Sequence, residues 1–250
     1  EGGEHDTESG FISGDTRLDL VAIPLLGPPP SRPTPTVVGV SYAMGGVFGS
    51  RVDLPDGVQP GDVILAVSLS HWALLLDIQP MEPGWSLLHQ VGAGPMSSHG
   101  KVYWRIAGED EPSTYGFSNS LMGEQITHLI VLRDASTFLD DGWAVASVVR
   151  REWWLFDDAH TTPSIDRNGQ LLLAVSFVPF NPVTAVVSQT VPEGMTELSS
   201  ITGAWSSCAV AALADPPRPT GERRFTVEPL PSWSTHSIGI SILVPGAPLG

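Results

Sequence analysis

From position 37 onward the chain is cut into short stretches in which apolar and polar residues alternate: "TVVGVSYAM", "DVILAVSLS", "KVYWRIA", "STYGFS" and "THLIVLRD", bounded by Gly, Pro, Asn or Asp. A period of two with β-branched and aromatic enrichment predicts strands, and the flanking residues predict the turns between them. No window keeps a helical period for three turns. "HWALLLDIQPM", from position 71, predicts at most one short helix. The expected fold is mainly β.

Before position 37 the texture differs. Residues 1–10, "EGGEHDTESG", are polar and charged; "FISGDTRLDLVAIPLL" follows with a brief apolar patch, and "GPPPSRPTPT", residues 27–36, reads as a stiff extended spacer. Residues 1–36 are therefore expected to form an arm. Its apolar residues Leu18, Leu20, Ile23, Leu25 and Leu26 are the candidate partner-binding surface. Laid across a neighbouring subunit they would bury about 300 to 500 Å², roughly 7 to 12 kcal/mol before ordering costs.

The β-rich part contains an internal repeat. "PGDVILAVS" at 60–68 matches "NGQLLLAVS" at 168–176, a shift of 108 residues. The same shift relates Pro55 to Pro163, Val102 to Val210, Phe117 to Phe225, His128 to His236 and Ile130 to Ile238. "EPGWSLL" also matches "PEGMTEL", with Gly84 and Gly194 related through a two-residue indel. Order and spacing kept together predict two copies of one module, residues 37–135 and 144–250, joined by a linker at 136–143. A module of this size with frequent turn residues predicts an antiparallel β-sandwich, jelly-roll-like or immunoglobulin-like in topology.

Composition narrows the function. Acids outnumber bases 27 to 12, for a net charge of −15, which opposes binding to a phosphate backbone. Cys208 is the single cysteine, so an intrachain disulfide and a cysteine-rich zinc site are excluded, and its setting in "AWSSCAVAAL" predicts a small buried strand residue. No stretch of about 18 apolar residues predicts a membrane span. The start at Glu1, without Met or a signal peptide, suggests processing or a missing beginning.

"LPDGVQPGDVILAVSLS", "PMEPGWSLL" and "VYWRIAGEDEPSTYGFS", with "GAWSSCAVAAL" in the second copy, resemble the β-sandwich modules of minor tail and other virion surface proteins of actinobacterial phages. There a "PGD" turn enters an apolar strand, a "PPGW" element follows, and an "AG-x-x-EP-x-x-Y" hairpin comes later. The resemblance covers residues 50–135 well and the second copy loosely, where "ADPPRPTGERRF" replaces the acidic hairpin and Met195 stands in place of Trp85. It implies a structural or adhesive role at the external surface of a phage particle and supplies no catalytic motif.

Glu109, Asp110 and Glu111, between Gly108 and Pro112, read as a solvated hairpin turn rather than paired catalytic carboxylates or a calcium site. Asp157, Asp158 and His160, and likewise Glu4, His5 and Asp6, have ligand types without metal-loop spacing, so no metal and no cofactor is expected. His128 and His236, matched by the repeat, suggest a structural task such as bonding a neighbouring carbonyl. No "GxSxG" elbow and no phosphate loop occurs, so no catalytic residue is assigned. Of the eight tryptophans, Trp72, Trp153 and Trp154 are the candidates for exposed glycan-binding rings. The expectation is a non-enzymatic virion subunit, a minor tail or surface-decorating protein, whose partners are other virion subunits and further copies of this chain. The alternative is a carbohydrate-binding adhesin for a host-surface glycan, without nucleic acid or membrane insertion.

Overall fold

A computed structural model describes residues 32–46, 48–73, 78–92, 97–118, 123–150, 159–180, 187–229 and 236–248. The arm as far as Ser31, with all five of its candidate leucines and isoleucine, lies outside the described residues. Strands dominate, and among the described residues the single helical element is a 3-10 turn, Leu139–Asp141. Within "HWALLLDIQPM", His71 to Ala73 continue a strand, and the next four residues lie outside the description.

The first module contains β1 (Thr36–Gly45), β2 (Ser50–Asp53), β3 (Val63–Ala73), β4 (Ser86–Gly92), β5 (Ser97–Ile106), β6 (Thr114–Phe117) and β7 (Gln125–Arg133). The second contains β8 (Ala144–Arg150), β9 (Ala159–Thr162), β10 (Leu171–Pro179), β11 (Ser188–Thr190), β12 (Thr196–Thr202), β13 (Ser206–Ala214), β14 (Arg223–Glu228) and β15 (Ser237–Val244). Each module is an antiparallel β-sandwich. A five-stranded sheet ordered β1-β7-β3-β5-β4 faces the pair β2-β6, and one ordered β8-β15-β10-β13-β12 faces the triplet β9-β14-β11. The two large sheets have the same strand order, so the duplication read from the sequence is present in the topology.

The register is more discriminating than the order. Val67 lies opposite Val102 and Val175 opposite Val210, which agrees with the repeat. β4 and β12 carry a bulge at the same place, between Leu87 and His89 and between Glu197 and Ser199. Gly84 and Gly194, at the turns leading into these strands, both take φ in the left-handed region, at 91° and 77°, as only glycine does without strain. The last strands depart from the expected match: Val67 lies opposite His128, but Val175 lies opposite Ile240, not His236. Between Phe225 and β15 the second copy has four more residues than the first has between Phe117 and β7, three of them in the longer β14. The equivalent of His128 is therefore Ile240, and His236 precedes its strand.

Alternation explains how the modules meet. On β3, Val63, Leu65, Val67 and Leu69 point to one face and Ile64 and Ala66 to the other; on β10, Leu171, Leu173, Val175 and Phe177 point to one face and Leu172 and Ala174 to the other. The first set of each strand enters one shared core with Ile126, Ile130, Val210, Ile238 and Ile242. The second sets pack beneath the small sheets. The described residues between 32 and 248 thus form four layers, small, large, large and small, and the largest apolar cluster among them lies between the modules. Every residue from Val63 to Ser70 is buried because both faces of the strand are covered. β4 lies over β8 and β1 over β12, equivalent pairs exchanged, so the modules face each other about a pseudo-two-fold axis. Trp143, in the linker, closes one end of this core, its indole N–H donating to the Ser136 carbonyl at 3.0 Å.

Candidate functional site

The acidic hairpin of module 1 is built differently from the solvated turn expected of it. Gly108, Glu109 and Asp110 turn the chain between β5 and β6, but the Glu111 side chain folds back and is only 7% exposed. Its Oε1 accepts from the Gly108 amide at 2.7 Å and from Arg105 Nη2 at 3.0 Å. The Arg105 guanidinium lies 5.1 Å from the Tyr115 ring centre and 5.6 Å from that of Trp85, which itself meets Tyr115 edge-on at 5.1 Å. Arg105 Nη1 also donates to the Pro83 carbonyl at 3.3 Å. Together these groups fasten the hairpin to the turn before β4. Glu111 is a structural counter-ion, while Glu109 and Asp110 remain exposed.

The second copy lacks the whole set. Met195, Leu213, Pro219 and Arg223 occupy the corresponding positions, and Met195 with Leu213 extends an apolar cluster. An ion pair stacked on aromatic rings needs all its members, because a buried charge left alone costs several kcal/mol. Their joint replacement follows from that.

The shared core carries a second polar group. His128 is fully buried on β7; its Nε2 lies 3.1 Å from Ser199 Oγ on β12 and its Nδ1 3.9 Å from Cys208 Sγ on β13. It thus pins module 1 to module 2 through side chains and not through a carbonyl. Burial pushes its pKa down to about 4, so the ring is neutral at pH 7. A cysteine beside a histidine is the arrangement of a thiol nucleophile with its base. Here burial raises the pKa of Cys208, and its sulfur has no exposed surface, so it packs as a small apolar residue. His160 is equally structural: its Nδ1 meets Ser176 Oγ at 2.8 Å, and burial followed by the Arg150 charge lowers its pKa to about 3.

At the end of the interface near the start of β7, equivalent serines reach across in both directions. Ser98 Oγ on β5 donates to the His236 carbonyl at 2.5 Å, and Ser206 Oγ on β13 donates to Glu124 Oε2 at 2.6 Å. Glu124 also accepts the amides of Ala204 at 2.7 Å and Trp205 at 3.1 Å, so one carboxylate holds the β12-to-β13 turn of the other module. His89 Nε2 and Ser147 Oγ, 2.8 Å apart, join β4 to β8. No sequence signal singled out Glu124, Arg105 or His89, since their partners lie in distant strands.

Of the glycan candidates, the Trp72, Trp153 and Trp154 side chains lie outside the described residues. Trp205, in the turn gripped by Glu124, is the exposed tryptophan among those described, at 45%. A shallow cleft of about 330 Å³ beside the acidic hairpin is lined by Asp56, Glu109, Glu111 and Ser113. Among the described residues no group of three or more His, Cys, Asp or Glu is placed to hold a metal ion.

Compared with known proteins, the chain matches no family model, no curated protein and no solved structure.

Proposed function

We propose that the chain is a non-enzymatic structural subunit of a phage virion, a minor tail or surface-decorating protein. The supporting observation is the continuous apolar core between the two large sheets, which joins the modules into one thick block. A shared core of this kind suits load and fixed geometry, whereas domain motion around a cleft needs a small polar interface. The groups with catalytic potential serve packing: His128, His160 and Cys208 lie in layers between sheets, and Glu111 neutralises Arg105. The resemblance of residues 50–135 to virion surface modules directs this block to a particle exterior, and the arm supplies the reach to a neighbour.

The test is localisation in purified particles by immunogold labelling and mass spectrometry, with wild-type chain and a deletion of residues 1–36. The full chain is expected on the particle surface, and the deletion is expected to fold and to fail to incorporate. Absence of the full chain from particles overturns the proposal, and specific binding to a host-surface glycan on an array would favour an adhesin instead.

A further inference from the structure

The four outer strands of the large sheets are protected unequally. β4 and β12 are each broken by a bulge, and β12 also carries Glu197. β8 is partly buried along its whole length and ends in Arg150. β1 also carries a bulge, between Val37 and Gly39, but beyond it pairs to β7 in regular register from Gly39 to Gly45, its ten residues include no charge and no proline, and Tyr42 and Met44 are exposed. A long, uncharged edge is a template for adding another strand.

The side chains beside this edge are apolar and exposed. Tyr42, Met44 and Phe48 are 52%, 51% and 90% accessible. Tyr42 and Met44 lie opposite His128 and Ile126, so they project from the face that covers module 2 and overhang its edge strand β12. The Trp205 turn joins this patch, because Glu124 holds the Ala204 and Trp205 amides and the next residue, Gln125, pairs with Gly45. Aromatic residues and methionine are the types enriched at protein contacts.

We infer that the β1 edge pairs antiparallel with the β1 edge of a second copy of this chain, joining two five-stranded sheets across a two-fold axis. Charge permits it: a chain of net charge −15 repels its copies, and β1 itself brings no carboxylate to the contact. Size allows it: the four exposed side chains offer about 400 Å² per copy, and with the strand backbone the pair reaches about 1,000 Å² in total, the lower bound of a specific interface. In the dimer Tyr42 and Met44 fill the space between the two β12 edges. The inference deepens the assembly reading, on which it rests, by naming the contact surface.

Sedimentation equilibrium on the full chain, from about 1 to 100 µM at 0.15 M salt, tests it. A monomer–dimer equilibrium is expected; Met44→Lys should weaken it at least tenfold with an unchanged melting temperature, and Leu87→Lys on the opposite edge should leave it intact. A monomer throughout, or a dimer indifferent to Met44→Lys, overturns the β1 contact. Because purified chain alone is used, that failure leaves the virion reading standing, while a β1-dependent dimer that never enters particles supports the contact and overturns the virion reading.

Discussion

At the scale of single residues, neighbouring carboxylates in one turn have opposite roles. Glu111 is 7% exposed and tied to Arg105 and the Gly108 amide, while Glu109 is exposed. Glu111→Gln should therefore lower stability by about 2 to 3 kcal/mol, because Arg105 keeps its charge in a site with little water. Glu109→Gln should change it by less than about 0.5 kcal/mol. Urea unfolding of both variants checks the contrast; equal effects would place Glu111 in solvent. His128 gives a pH test. Its pKa is about 4 in the folded state against about 6.5 unfolded, so below pH 6.5 the unfolded chain binds the extra proton and stability falls as pH drops toward 4. Each such histidine contributes about 1.4 kcal/mol per pH unit in that window, and His71 and His160 are depressed in the same way. Comparing urea midpoints at pH 7 and pH 5, His128→Gln should show a smaller loss than wild type; an unchanged slope would mean that His128 is protonated in the fold.

At the scale of elements, alternation made the strands legible, and the repeated "PGDVILAVS" and "NGQLLLAVS" correctly located β3 and β10 with their shared register to β5 and β13. The same alternation concealed the displacement of β15. A shift of four residues is even, so apolar positions still fall on the same face, and Ile130 with Ile238 looks as good a match as Ile130 with Ile242. Hydrogen bonding to β10 decides between them and selects Ile242 as the residue opposite Leu173. The acidic hairpin was legible as a turn from Gly108 and Pro112, but the inward fold of Glu111 was not. That depends on Arg105 and two rings, one from the turn before β4 and one from β6, which have no fixed spacing in sequence.

At the scale of the whole molecule, the two sandwiches share their largest core, so the linker is not what holds them together. Phe138 in that linker is 64% exposed and offers a place for a protease site. After cleavage of the full chain between Phe138 and Leu139, the halves should co-elute in gel filtration without denaturant, since separation would expose both large apolar faces. Separation under these conditions would contradict the shared core. The mainly β class, the two copies, their sandwich form and the small buried character of Cys208 were determined by the sequence alone, because period-two patterning, turn residues and duplication are local or self-referring signals. Only the tertiary structure decided which face of each large sheet meets the other module, where β15 sits, and that Glu111, Glu124 and His128 act as fasteners. Those outcomes depend on pairing between strands far apart in the chain, where burial and hydrogen bonding, and not spacing, choose the partner.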